Sequence, residues 1–327
     1  MEPIDRHIRR RGFFLRRRDL LSRGYSDQQI ATALGRHDIF RVRQGWYSVP
    51  DAPEEAVLAV RVGGRLTGIS ALQSYGLRVP RRDRLHIAVP IDACRLRRPQ
   101  DRRRPLEADD RVRVHWVERP APRASNWRVP IADALLVVLL EESRDIAVAC
   151  CSAVMRYKFW TDAEMDAVFA AAPARVRRWR SLVCRLDDSH GETFVRLWLG
   201  DVGIPYESQP FIQGVGWLDG RVAPHTYVEV DGGQHDPLWT GDSPSSFEHD
   251  HQRDTAMAER GDRVLRCTYL QLYRQWASVL AAIRRAISDD LALSAYRQRH
   301  PLAVAHPAPS PRALSPKTKE KPVREAS

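Results

Sequence analysis

The sequence predicts an α+β protein of several domains, and three observations carry that expectation. At 327 residues the chain has room for two or three domains of roughly 100–200 residues each. Stretches of helical period are interleaved with stretches that alternate every second residue, which fits neither an all-helical bundle nor an all-β sandwich. Composition and pattern shift near residues 50, 187 and 300, giving segments 1–50, 51–186 and 187–290 and a tail, 300–327. Hydrophobic residues make up 43% of the chain, enough for packed cores.

Residues 1–50 carry eleven arginines against five acids, a local excess of six positive charges. Arg16 to Arg23 reads as a short helix around Leu20 and Leu21, closed by Gly24. Ser26-Asp27-Gln28-Gln29 is an S-x-x-Q capping box that opens a second helix with Ile30, Ala33 and Leu34 on its buried face. Phe40 to Arg43 and Trp46 to Val49 alternate around Gln44-Gly45, as two short strands should. The order of short helix, Gly-Tyr-Ser, helix and Arg-Val-Arg-Gln-Gly-Trp-Tyr resembles a winged helix-turn-helix, in particular the N-terminal domain of AbiEi-type antitoxins. The resemblance implies DNA binding, with Asp27, Gln28 and Gln29 at base edges and Arg36 near the far end of the same helix. Arg41 and Arg43, on the wing, would reach phosphates. Such modules also dock proteins, and the antitoxin resemblance adds a cognate toxin as a candidate partner.

Residues 51–186 read as an α/β middle region, again similar in layout to AbiEi-type proteins. Glu54 to Val60 and Gly68 to Leu77 are helical, while Leu85 to Val89 and Val112 to Val117 alternate like strands. The basic link Arg95 to Arg104 reads as a solvated loop, and a long helix is expected from Pro130 through Cys151 and Met155. His86 and His115 are expected as plain surface histidines, and Trp127, Trp160 and Trp179 as core or helix-packing residues.

From residue 187 the pattern changes again. Ser189-His190-Gly191-Glu192 is an S-x-x-E signature, followed by Phe194, Leu197 and Trp198 at helical spacing. Strands are expected up to Phe211-Ile212, at Trp217-Leu218-Asp219 and from Tyr227 to Asp231, then a helix from Phe247 to Arg260, a strand from Val264 to Tyr269 and a helix from Gln271 to Ile287. Thr226 to Val230 is apolar enough to be a central strand, so Glu229 and Asp231 arrive at the edge of a core. Unpaired carboxylates are costly to bury, and a hard divalent cation with oxygen ligands is one way to offset that cost.

An Asp on one strand and Glu-Val-Asp-Gly on the next, then a helix with Arg253-Asp254 and a Gly-x-x-Val-Leu-Arg segment, resemble the restriction-endonuclease-like superfamily, whose loose signature is PD-(D/E)XK. The layout is closest to its very-short-patch-repair (Vsr)-like branch and covers roughly residues 187–287. The resemblance implies an αβββαβ core and a Mg²⁺- or Mn²⁺-dependent DNA endonuclease. Asp219 and Glu229 would be metal ligands, the Val230 carbonyl a third and Glu192 the further acid. The position of the superfamily's lysine holds Asp231, and no lysine lies in this region. The resemblance then points to His235 for proton transfer, with His249 and His251 as alternatives. Arg253 would hold Asp231 or a phosphate through a forked pair of hydrogen bonds. Against this stands a structural ion-pair network of Glu229, Asp231 and Arg253 with no metal.

The net charge of +11 and pI near 9.8 suit a nucleic-acid partner, although almost all the excess is arginine; lysine occurs only at 158, 317, 319 and 321. The five cysteines show no CxxC pair, which argues for reduced thiols and against a zinc site. No apolar run reaches the roughly 20 residues a bilayer span needs, and Met1 to Asp5 lack the order of a signal peptide, so a cytoplasmic protein without a membrane partner is expected. The tail from residue 300 is expected to be disordered. The leading expectation is a metal-dependent DNA endonuclease with an N-terminal DNA-binding module. The alternatives are a non-catalytic, antitoxin-like DNA-binding regulator and a protein-interaction module that neutralises a toxin.

Overall fold

The computed structural model describes residues 2–80, 83–118, 127–158, 160–231 and 244–299, with side chains from 251 onward in the last stretch. His235 and the tail from residue 300 lie outside the described residues. The architecture is α+β, with four small sheets among the described residues, covered by helices.

The N-terminal layer comprises α1 (Ile4–Arg10), β1 (Phe14–Arg16), α2 (Arg17–Ser22), α3 (Asp27–Gly35), β2 (Phe40–Arg43) and β3 (Trp46–Ser48). Beyond the expected β2–β3 hairpin, β1 pairs with β3, Phe14 opposite Ser48 and Leu15 opposite Tyr47, giving the order β1-β3-β2. Ile8, Leu20, Ile30, Ile39 and Tyr47 form the core of this layer. The Ser26 box forms in full: Ser26 Oγ accepts the Gln29 N–H at 3.2 Å, and Gln29 Oε1 accepts the Ser26 N–H at 2.8 Å.

The middle region holds α4 (Glu54–Val62), β4 (Arg65–Leu66), α5 (Gly68–Ser74), β5 (Leu85–Pro90), β6 (Val112–Val117), α6 (Ile131–Glu141), α7 (Arg144–Tyr157), α8 (Asp162–Ala171) and α9 (Ala174–Arg177). β5 is central, antiparallel to β4 and parallel to β6. The largest core lies here and extends to Phe14 and Val42 of the N-terminal sheet. The long helix expected from Pro130 is instead two, because the chain turns extended at Glu142 and Ser143 before α7 begins. His86 and His115 are also not surface residues. Both are buried, with His115 Nε2 3.2 Å from His86 Nδ1 and His115 Nδ1 2.8 Å from Glu141 Oε1. The expectation failed because helices cover the side of the sheet that alternation alone would leave solvated. The 95–104 link is anchored too, since Arg98 donates to Asp110 at 2.7 Å.

The C-terminal region holds α10 (His190–Asp201), β7 (Glu207–Ser208), β8 (Phe211–Ile212), β9 (Gly216–Trp217), β10 (Gly220–Ala223), β11 (Thr226–Asp231), α11 (Pro244–Glu259), β12 (Arg263–Thr268), α12 (Tyr269–Arg274) and α13 (Trp276–Arg299). The main sheet runs β12-β11-β10-β7, parallel only between β11 and β12. β11 is central, and its Tyr227 and Val228 are buried on opposite faces. The strand expected at 217–219 is broken. β9 pairs away with β8, and the chain bends through Leu218 and Asp219 before β10 begins. The last helix is likewise divided at Gln275, whose extended φ of −135° interrupts it.

Asp187 anchors the start of this region. Its buried carboxylate accepts from Arg196 (Nη2 at 2.6 Å), Thr193 Oγ1 (2.9 Å) and Ser208 Oγ (3.2 Å). Trp198 Nε1 donates to Asp145 at 2.7 Å and Tyr157 Oη to Asp188 Oδ1 at 3.0 Å, tying α10 to α7. No helix of the described residues is long and apolar enough to cross a membrane.

Candidate active site

The first turn of α10 comes very close to β11. A Cβ on Gly191 would lie 2.7 Å from both Val230 Cγ1 and Tyr269 Cε1, so only glycine permits this approach. That contact carries the next residue, Glu192, into the interior, where it is 4% exposed. Ser189 Oγ accepts the Glu192 N–H at 3.2 Å, so half of the expected box forms. The Glu192 carboxylate does not close the box. Its Oε2 instead accepts from the Asp188 N–H and from Gln209 Nε2, both at 2.9 Å.

Asp219 reaches the same place from the bend before β10. Its Oδ2 accepts the Val230 N–H at 2.8 Å, and its carbonyl accepts the Gln209 N–H at 3.0 Å. Burial pushes the Glu192 carboxyl up to about 7, and the neighbouring Asp219 adds to the rise. Burial likewise pushes Asp219 up to about 6, against the Val230 hydrogen bond and with help from Glu229, Asp231 and Asp188. Neither group has a cationic partner among the described residues, whereas Asp187, Glu229 and Asp262 each have at least one.

Glu229 follows a different course. Arg253 Nη2 donates to its Oε1 at 3.0 Å and Arg266 Nε to its Oε2 at 3.1 Å, so two guanidiniums occupy the carboxylate expected to be a metal ligand. The second bond from Arg253 Nη2 goes to the Trp217 carbonyl at 3.0 Å, rather than to Asp231. Asp254 pairs with Arg266 at 2.5 Å, in line with a structural role. Asp231 is exposed at the end of β11, and His251 is exposed on α11. His235 lies outside the described residues, as does the side chain of His249.

Tyr206 and Gln209 adjoin the acids, and His190 lies two residues before Glu192; none was expected as a site residue. Tyr206 Oη is buried without a hydrogen-bond partner among the described residues. Burial holds its phenol well above the usual range, with Asp219, Glu192 and Asp187 adding to the effect. His190 stacks on Tyr269 at 4.6 Å, its Nδ1 unpartnered, and burial pushes its imidazole down to about 4. No spacing in the sequence announces Tyr206 or Gln209; the only local sign was His190 inside the helix-start motif.

The N-terminal candidates also separate. Gln28, Arg36 and Arg41 are exposed. Gln29 is engaged in its capping box, and Asp27 pairs with Arg17 at 2.5 Å. Arg41 lies over the Tyr47 ring at 5.8 Å, whereas Arg43 turns inward against Gly63.

Two inward-facing carboxyls with raised pKa values and no counter-cation are a donor set that suits Mg²⁺, which needs one or two carboxylates and keeps its waters. The residues therefore fit such an ion at Glu192 and Asp219. Among the described residues no group of three His, Cys, Asp or Glu side chains converges to hold a metal.

No protein-family model matches the chain, and no curated protein matches it. Among solved structures it is similar to the homing endonuclease I-Bth0305I catalytic domain, at 18% identity over 29% of this chain and 90% of that one, with a TM-score of 0.25.

Proposed function

We propose that residues 187–290 form a restriction-endonuclease-like domain that cleaves phosphodiester bonds in DNA with a divalent cation, and that residues 1–50 are a winged helix-turn-helix that positions it. The observation that carries the reading is the pairing of Glu192 with Asp219, two inward carboxyls without a cationic partner among the described residues, while neighbouring acids have one. When bound, Mg²⁺ or Mn²⁺ supplies Lewis-acid stabilisation of the charge that develops on the phosphate. The protein's own groups do the positioning. Gln209 and the Asp188 N–H fix Glu192, and the Val230 N–H fixes Asp219. Arg253 and Arg266 hold Glu229 in place beside them, so Glu229 orients the site here rather than ligating.

The surroundings suit a nucleic-acid substrate. Phe211 and Trp217 form an exposed aromatic pair at 5.1 Å on the β8–β9 hairpin, which Arg253 ties to Glu229. Exposed rings of this kind offer a stacking surface for unpaired bases. Gln28, Arg36 and Arg41 supply the exposed contacts of the N-terminal module.

A second reading has its own support. Two guanidiniums already neutralise Glu229, which suits a non-catalytic, antitoxin-like DNA-binding regulator. One experiment separates the two. Supercoiled plasmid is incubated with purified protein and Mg²⁺ or Mn²⁺, with EDTA as control, alongside Glu192→Gln and Asp219→Asn. The nuclease reading expects metal-dependent nicking that both variants lose. Inert wild-type protein that still shifts DNA equally well in EDTA would establish the regulator instead.

A further inference from the structure

A second built site lies far along the chain from these acids, between the N-terminal sheet and the middle region. It is a cavity of about 700 Å³. Arg16, Arg43 and Trp46 line it from one side, Arg65 and Cys94 from another, and the β6–α6 wall adds Val117, Leu136 and Leu140. The register shift between Arg41 and Arg43 in β2 sends Val42 into the core and Arg43 into this cavity. The Arg43 guanidinium lies directly on Gly63. A Cβ there would sit 2.0 Å from Arg43 Nη1, and φ at Gly63 is +122°, so this backbone is shaped to seat it.

Three arginines line the cavity, Arg16, Arg43 and Arg65, against a single carboxyl, Asp133 on α6. Arg43 is half-buried and makes no ion pair among the described residues; Arg97 and Arg16 act on it as like charges. Burial and those two like charges push its guanidinium below its usual value. Arg16 spends its side chain over the Trp46 ring at 4.8 Å. An uncompensated buried guanidinium is costly, and several other half-buried arginines, Arg98, Arg144, Arg180 and Arg196 among them, face carboxylates. Something anionic would balance Arg43.

We propose that this cavity binds a small phosphate-bearing organic anion of the nucleotide class. The anionic group would sit between Arg43 and Arg16, and the planar body against the apolar β6–α6 wall. Guanidiniums match phosphate oxygens in geometry and charge. A volume of this size is that of a small-molecule site and exceeds what inorganic phosphate fills. Because the two walls come from the N-terminal sheet and the middle region, the ligand clamps one to the other. The site therefore works as an effector pocket behind the wing, separate from the acids at Glu192 and Asp219.

The test uses the full chain without DNA and with EDTA present, so that the acidic site does not contribute. ADP and inorganic pyrophosphate are titrated by calorimetry. Alkylation of Cys94, which is exposed and lines the cavity, is followed by mass spectrometry. ADP is expected to bind saturably and more tightly than pyrophosphate, and to slow Cys94 alkylation. Arg43→Gln should weaken ADP by about tenfold or more, and Arg16→Gln should weaken it as well, because each removes a charge-assisted hydrogen bond. Ligand-free Arg43→Gln should be at least as stable in urea as the parent. Failure of ADP to bind, binding unchanged in both variants, or equal affinity for pyrophosphate would overturn the proposal. So would Cys94 protection by a DNA duplex but not by ADP, or a ligand-free Arg43→Gln that is clearly less stable.

Discussion

Replacing Glu192 with Gln tests the acid pair through folding alone, without any need for turnover. In the folded protein the Glu192 carboxyl sits at about 7, against an ordinary 4.5. Below the ordinary value the group is protonated in both states and costs nothing. As pH rises toward about 7 the unfolded chain releases a proton that the folded chain keeps, so stability falls, and above that it is level. The gap corresponds to about 3 kcal/mol as an upper limit, shared with Asp219 through their mutual repulsion. Gln keeps an acceptor for the Asp188 N–H and Gln209 and brings an amide that can donate to Asp219. In EDTA at about pH 8 the variant should therefore be about 1–3 kcal/mol more stable than the parent by urea unfolding, and at about pH 5 nearly equal. Saturating Mg²⁺ should shrink or reverse that gap, because a ligand present at about 100 times its Kd stabilises the parent by about 2.7 kcal/mol and has lost a partner in the variant. A difference that is the same at both pH values, or equal stabilisation of the two proteins by Mg²⁺, would refute the reasoning.

Other consequences are open to direct measurement. Mn²⁺ affinity, read by calorimetry, should rise by about tenfold per unit between about pH 6 and 7, by up to about a hundredfold per unit below that, and level off above about pH 7, since the ion must displace protons from Glu192 and Asp219. Arg196→Met strands the buried Asp187 carboxylate and should cost about 3–5 kcal/mol in urea unfolding; a loss under about 1 kcal/mol would show that Thr193 and Ser208 suffice. Phe211→Ala combined with Trp217→Ala should weaken single-stranded DNA binding by about 1–3 kcal/mol per stacked base and leave the urea midpoint nearly unchanged, because both rings are exposed. Unchanged affinity in a filter-binding assay would remove the hairpin from the interface.

The helices and strands were legible where local chemistry decides them. The Ser26 box, the short α2 around Leu20 and the apolar run of β11 each announce themselves in a few neighbouring residues. Errors came where long-range contact overrides local pattern. His86 and His115 alternate like surface residues, yet helices cover their strands. The 217–219 strand breaks because Trp217 pairs with Phe211 across a separate hairpin. Glu229 and Arg253 were both visible in the sequence, but Arg266 could not be seen as their companion, since the parallel register that sets Glu229 opposite Arg266 joins strands separated by a whole helix.

The sequence by itself determined which acids are available and where the chain changes character, because residue identity and spacing fix helix starts, strand periods and the stock of ionisable groups. Only the tertiary structure decided which carboxyls meet. Glu192 and Asp219 are brought together by the close approach at Gly191 and the bend before β10, while Glu229 is drawn to two guanidiniums and Arg43 is turned from the wing into a cavity. The reason is physical. The charge state of a buried group depends on which dipoles, charges and apolar atoms surround it, and those neighbours come from distant parts of the chain.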